Sequence, residues 1–419
     1  MPVELSESDR ALLRGERGEA AALAMRIVVE MAGVSAAERL IDVASAHVDG
    51  CLYHGIAGLE FAERLVAGGA RVAVPTTLNV GALDLLHPER YRGDPGVAAD
   101  ARRQMDAYVA MGCRPTWTCA PYQLPGRPAF GQHVAWAESN AIVFCNSVLG
   151  ARTDRYGDFI DICAALTGRV PLAGLHRDEA RRAGLVVTLE RVSERLLASD
   201  ALYPVLGHLL GREAGSEVAA IVGLPANMSE DRMKALGAAA ASSGSVAMVH
   251  AVGVTPEAPT LEAATGGEEA RELRVTTARL RACRDELSTV APERLGAVSV
   301  GTPHASLAEL DRLAGLLGTN EVAVPLYVNV GREVLADADD RGLVPRLQAL
   351  GVRVVSDTCT YISPVMDEVN GPVMTDSAKW AWYAPANLGV DVVIGGLEEC
   401  VRSAVAGRVL LDETLWADV

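Results

Sequence analysis

Aromatic side chains are scarce: Phe, Trp and Tyr make up 4% of the 419 residues, and only four are phenylalanines. The core must therefore be built from Ala, Val and Leu, with alanine favouring close helix packing and valine runs favouring strands. No apolar stretch reaches the ~18–20 residues that a membrane span requires. The opening MPVELSESDRALLRG has acidic residues where a signal peptide would be positive, so a cytoplasmic location is expected. Positive charge is also short: 38 Lys and Arg stand against 54 Asp and Glu, a formal −16. Such a balance argues against nucleic acid or an anionic membrane as a general partner. The eight cysteines (51, 113, 119, 145, 163, 283, 359 and 400) contain no CxxC pair, which excludes zinc-ribbon and thioredoxin-type motifs. In a cytosolic chain they are expected as free thiols, or as metal ligands gathered from distant segments. There is no solenoid-period repeat and no low-complexity linker.

What is present fits a soluble globular protein of two or three domains, with half the residues hydrophobic and 22% charged. A unit of strand, polar loop and helix recurs along the chain. This predicts an α/β fold of several three-layer α/β/α units whose strand ends converge on a central cleft. Approximate units are 1–150, 151–295 and 296–419. Local patterns predict a helix over 5–34 capped by Ser6 or Ser8, and a second from Ser35 to Ile41. Further helices are expected over 95–111 and, as a polar surface element, over 264–287.

The densest chemistry lies between Pro115 and Gly168. There the apolar run Ala141–Phe144 is flanked by Glu138-Ser139-Asn140 and by Asn146-Ser147. Polar groups that close to a core cost about 1–3 kcal/mol each if left unsatisfied, and a ligand site would supply their partners. The block is therefore read as an active-site wall. Three strand ends carry a hydroxyl or acid beside a cysteine or histidine: Thr118-Cys119, Thr302-Pro303-His304 and Asp357-Thr358-Cys359. A buried cysteine is ordinarily a small hydrophobe. Cys119 and Cys359 stand out because each lies where a strand gives way to a proline-bounded polar loop, a place for a thiolate to meet metal and substrate. Arg152 and Arg155, three apart after Gly150, suit carboxylate binding; their bland alternative is a solvated ion-pair face. Lys379 follows another polar cluster, Thr375-Asp376-Ser377. His250 and His304 are candidate acid–base groups, whereas His47 and His54 are read as local hydrogen-bonding residues.

Long blocks of the chain resemble the aconitase X family. They are TCAPYQ…RPAFGQHVAWAESNAIVFCNSVLGART, HVDGCLYHGIAGLEFAERL, VPTTLNVGALD, GAAAASSGSVAMVHAVGVTPEA, GTPHASLAEL, SDTCTYISPV and MTDSAKWAWYAPANLGVDVVIGGLEECV. The resemblance runs in order over essentially the whole chain. It implies an aconitase-like fold and an iron-dependent hydro-lyase. One branch of the family dehydrates cis-3-hydroxy-L-proline and another a phosphorylated mevalonate; the HVDGCLYHG and PTWTCAPYQ blocks are closer to the first. The family also uses a small swivel domain, fused or separate, that contributes a serine to the site. No such domain is visible here, so the resemblance implies a large subunit that partners a small swivel-domain subunit.

Carried over by position, Cys119 and Cys359 match the family's cysteines and are the implied metal ligands. Cys400 is the third, with Cys51 and Cys145 as rivals. The cofactor implied is an iron–sulfur cluster (2Fe-2S or 4Fe-4S) or mononuclear iron acting as a Lewis acid. Glu138, Ser139, Asn140, His250 and His304 are the catalytic candidates. Substrate binding is assigned to Asn146, Ser147, Arg152, Arg155, Thr255, Asp376, Ser377 and Lys379, with a small carboxylate as substrate. Gln132 stands where many members carry glutamate and Asp376 where many carry asparagine, which puts the ordinary substrate in question. The alternatives are a dehydratase of another hydroxy acid, such as a phosphomevalonate, and a diverged regulatory or biosynthetic homologue.

Overall fold

The computed structural model describes residues 3–290 and 294–417. Two compact units emerge. The first comprises the chain up to Leu83 together with Gly93–Arg181; the second comprises Asp84–Arg92 and the chain from Arg182 onwards.

The first unit is built on a parallel three-stranded sheet in the order Thr76–Leu78, Ala46–Val48, Ala135–Trp136. An antiparallel pair, Leu40–Asp42 with Arg169–Pro171, lies beside it in the same unit. The helix expected over 5–34 is two helices, Glu7–Leu13 and Glu19–Val34. Ser6 caps the first through a capping box with Asp9. The break between them falls at Gly15 and Gly18, both with positive φ, a conformation that glycine adopts without steric cost. The segment read as a helix from Ser35 to Ile41 instead turns into the strand Leu40–Asp42, because strand pairing with Arg169–Pro171 overrides its weak helical pattern. The helix Pro95–Ala110 forms as expected, with Asp94 as its cap and proline at its first position.

The second unit holds two parallel sheets. Four strands run in the order Val249–Ala251, Ala219–Val222, Leu185–Leu189, Arg271–Val275. Five run in the order Val352–Val355, Leu326–Asn329, Ala297–Val300, Val373–Thr375, Val392–Ile394. The polar stretch 264–287 is a short helix, the edge strand Arg271–Val275 and the helix Thr277–Leu287. Its charged residues suit a strand that is solvated at a sheet edge, which is why helical reading of the charges alone failed there. The five-stranded sheet is covered by Val, Leu and Ala from both helices and strands, including Val298, Leu313, Val328 and Val393.

The scarcity of aromatics is resolved by close backbone approach. Helix Leu202–Ala214 packs on the alanine-rich helix Glu230–Ser243 through Gly207 and Gly211. A Cβ at Gly207 would collide with the Leu236 carbonyl, and one at Gly211 would lie 2.6 Å from the Ala240 carbonyl oxygen. The Ser243 hydroxyl is nearer still at Gly211, but the Ala240 carbonyl and the Gly244 nitrogen are backbone and cannot swing aside. Gly211→Ala is expected to lower stability by about 1–3 kcal/mol through overpacking; a urea denaturation midpoint equal to that of the parent would contradict this packing account.

Candidate active site

Each unit presents polar side chains at the C-terminal ends of its parallel strands, the place where such sheets gather ligands.

In the first unit, Asp49, Asn79 and Glu138 follow the three strands of the parallel sheet. Glu138 caps the buried helix Ser139–Ser147, accepting from the Ala141 N–H at 2.7 Å and from the Ser139 hydroxyl at 3.2 Å. Asn140 ties Glu138 to the Cys119 loop: its Nδ2 donates to the Cys119 carbonyl at 2.8 Å and to Glu138. Its Oδ1 accepts from the Tyr122 hydroxyl at 2.6 Å. Asn140 is thus a brace that fixes the wall. Asp49 accepts from Asn79 Nδ2, and burial, with the Glu138 charge adding, pushes its carboxyl up to about 7. Sequence reasoning missed Asp49 and Asn79; the abrupt strand endings HVDG and TTLN were the available signal. It also missed Asp161, which accepts from the Asp49 and Gly50 N–H groups at 2.7 and 2.9 Å and so shapes that turn.

Several candidates of this unit serve the scaffold. Asn146 exchanges hydrogen bonds with the Thr153 backbone at 3.0 and 3.1 Å and accepts from Arg181 at 3.0 Å. Arg181, buried and unremarked in the sequence, also donates to the Leu175, Asn146 and Ala151 carbonyls. Ser147 is buried on the same helix. Arg152 is engaged by the His176 carbonyl and by Asp178, while Arg155 is exposed. The two arginines therefore do not form the fork that their spacing suggested, since the His176 carbonyl and the Asp178 carboxylate claim the first. Gln132 is exposed, and its Oε1 accepts from the Ala129 N–H within its own loop.

In the second unit, the strand Ala297–Val300 leads to His304 and the strand Val352–Val355 to Cys359. Both side chains are fully buried. A His304 ring nitrogen and the Cys359 sulfur lie within 4.8 Å of each other. His304 Nε2 is 3.2 Å from the Thr358 carbonyl oxygen, which can only accept, so the proton sits on Nε2 and the lone pair on Nδ1. Burial lowers His304 to about 4, and the Lys234 and Lys379 charges push the same way. The ring is therefore neutral near pH 7, the form that binds metals.

A buried network sets the Cys359 loop. Thr360 Oγ1 meets the Ser299 hydroxyl at 2.7 Å and accepts from Trp380 Nε1 at 2.9 Å, while its N–H donates to Asn329 Oδ1 at 3.0 Å. Asp357 adopts φ +64°, costly for a non-glycine residue. Its carboxylate accepts from Arg332 Nε and Nη2 at 2.5 and 2.7 Å and from the Leu85 N–H at 3.1 Å. Ser377 caps the helix Ala378–Leu388, placing Lys379 in its buried first turn.

The remaining assignments of this unit fare differently. Cys400 sits in the aliphatic core with Val393, Val401 and Ala404, its thiol driven well above the ordinary range by burial. An apolar core holds a thiol protonated, which is the opposite of what a thiolate ligand needs. The rivals are no better placed: Cys145 lies in an apolar cluster, and Cys51 donates to the Asn79 carbonyl at 3.4 Å. Thr255 is committed to its own turn, its hydroxyl accepting from the Ala251 N–H at 3.1 Å. His250 is buried within the strand Val249–Ala251.

Burial raises the Asp376 carboxyl to about 7, with the Glu309 charge second. A carboxyl raised in the fold contributes stability that is complete below its unfolded value, near 3.8, and is lost as pH rises through about 7. Asp376→Asn is therefore expected to be more stable than the parent at pH 8 and to lose that advantage by pH 4. Parallel thermal melts across this range check it; an advantage independent of pH would sink the assignment.

Among the described residues, no helix is long and apolar enough to cross a membrane. Models of the aconitase X first, second and third domains match residues 2–179, 183–285 and 295–406. Cis-3-hydroxy-L-proline dehydratase of Pseudomonas aeruginosa is 46% identical over 411 residues, covering 96% of this chain and 70% of that protein. The protein of the same name from Hypocrea jecorina is 43% identical, covering 97% and 69%. The phosphomevalonate dehydratase large subunit of Methanothermobacter thermautotrophicus is 40% identical, covering 96% and 98%. The crystal structure of Thermococcus kodakaraensis aconitase X in its holo-form superposes with a TM-score of 0.86 at 32% identity, over 96% of this chain and all of that one. The chain belongs to the aconitase X family.

Proposed function

We propose that this chain is the catalytic part of an iron-dependent hydro-lyase that dehydrates cis-3-hydroxy-L-proline. The observation that carries the substrate is the 46% and 43% identity to two proteins named for that activity, against 40% to the phosphomevalonate relative. A small swivel-type subunit is part of the proposal. The match to 98% of a protein named as a large subunit supports it.

The donors fit an iron centre on chemical grounds. Cys359 offers a thiolate, and neutral His304, its proton fixed on Nε2 by the Thr358 carbonyl, offers an imidazole nitrogen within 4.8 Å of that sulfur. We assign Cys359 and His304 as ligands, and Cys119 with them on its family motif; Cys400 is dropped because the aliphatic core encloses it. Bound iron would supply Lewis acidity, making the substrate hydroxyl a better leaving group without redox change.

The chain's own residues do the rest. Lys379 supplies buried positive charge for the substrate carboxylate, in the same region where it depresses His304. Glu138, held by Asn140 and the Ala141 N–H, keeps a carboxylate oriented at the first unit's strand ends for the substrate's polar ring. Arg332 and Thr360 fix the loop that carries Cys359 and keep it from relaxing.

Iron content and dehydratase turnover of anaerobically purified protein, assayed with the small subunit, test the proposal. Parent protein is expected to hold iron and to dehydrate cis-3-hydroxy-L-proline. Cys359→Ser, Cys119→Ser and His304→Ala are each expected to lose most of the iron and at least about a hundredfold in turnover, as removal of an essential electrophile does. Iron-free parent protein after anaerobic reconstitution, or full iron retention in all three variants, would remove the metal assignment. Turnover of a phosphomevalonate with none of the imino acid would replace the substrate.

A further inference from the structure

A cavity of 440 Å³ opens in the second unit, lined by residues from the segments matched to the second and third family domains. Its size falls within the ~300–1,000 Å³ of small-molecule sites.

Its charged side chains fall into two ion-pair groups. Asp200 is a single carboxylate shared by two guanidiniums: Arg232 Nε lies 2.8 Å from Oδ1, and Arg312 pairs with Oδ2. That part of the lining carries one positive charge in excess. Elsewhere in the lining, Asp231 and Glu309 share one buried ammonium, Lys234, with Nζ 3.1 Å from Asp231 Oδ1 and also paired to Glu309. Here the excess is negative. Asp376 adds to it and, among the described residues, enters no ion pair. Pro204 and Leu397 add apolar surface to the lining.

A ligand of one sign would relieve one part of this cavity and aggravate the other. We propose that the cavity is a binding site for a zwitterionic amino or imino acid, its carboxylate taken by Arg312 and Arg232, its ammonium by Asp376 and Glu309, and its carbon body by Pro204 and Leu397. A smaller cavity of 50 Å³ shares Pro204, Glu309 and Asp376 with it and extends to Thr302 and Pro303, next to His304. Lys234 Nζ also lies 3.4 Å from the His304 carbonyl oxygen. The cavity therefore adjoins the turn that carries His304 without including that side chain. The ligand class follows from the lining charges and does not rest on the proposed dehydration.

Calorimetric titration of the full chain with L-proline, glycine and L-valine tests this, with pyrrolidine and cyclopentanecarboxylate as single-charge probes. At least one amino acid is expected to bind, roughly tenfold or more tighter than either single-charge probe, since each charged hydrogen-bonding group contributes about that factor. Arg312→Gln, at a half-exposed position, and Asp376→Asn are each expected to weaken it by a similar factor with circular dichroism unchanged. Cys359→Ser is expected to leave it unaltered, which separates this cavity from the proposed iron site. The proposal is overturned if none of the three amino acids binds, if a single-charge probe binds equally well, or if both lining variants bind like the parent. Binding abolished by Cys359→Ser would likewise overturn it, by placing the ligand at the iron site.

Discussion

The loop that carries Cys359 in the second unit depends on one buried ion pair. Asp357 must turn the chain with a positive φ two residues beyond the strand Val352–Val355, and it does so while its carboxylate is fully buried. Neither condition is favourable alone. The two-pronged grip of Arg332 and the Leu85 N–H make both tolerable, because the charge is paired and hydrogen-bonded and the turn then has nowhere to relax. From that turn follow the direction of Cys359, the Thr358 carbonyl that fixes the His304 tautomer, and the Thr360 contacts with Ser299, Asn329 and Trp380.

The first unit reaches the same end by a different device. Its three parallel strands stop in Asp49, Asn79 and Glu138, and a helix cap does the bracing that an ion pair does in the second unit. Asn140 uses both ends of its amide, to Tyr122 on one side and to Cys119 and Glu138 on the other. Carboxylates held this way keep a fixed direction, at the cost of burial that drives Asp49 upward. The polar clusters that interrupt the apolar helix Ser139–Ser147 are thus satisfied largely within the protein.

Much of this is legible in the amino-acid sequence. The recurring strand–loop–helix pattern announced parallel α/β sheets, and the motif blocks announced the family that the domain matches establish. The strand ends at His304 and Cys359 were visible as valine runs that give way to polar loops. Other assignments failed for physical reasons. Arg152 and Arg155 look like a fork at three-residue spacing, but Asp178 and the His176 carbonyl engage Arg152 while Arg155 faces solvent. Cys400 looks like a third thiolate in its motif, but its helix turns it into the aliphatic core. Charges in 264–287 look helical, but an edge strand accommodates charge equally well.

The sequence by itself determined the architecture and the family, because hydrophobic periodicity and long motif blocks are local properties that survive without coordinates. It also determined that the core would be packed by small residues, since so few aromatics are available. Only the tertiary structure decided which polar side chains are committed as braces within the fold. That distinction rests on where each donor and acceptor finds its partner, as when Asn146 meets Arg181 across 35 residues and Asp357 meets Leu85 across 272. Partnerships between residues so far apart leave no periodic trace in the chain, and folding alone brings them within hydrogen-bonding distance.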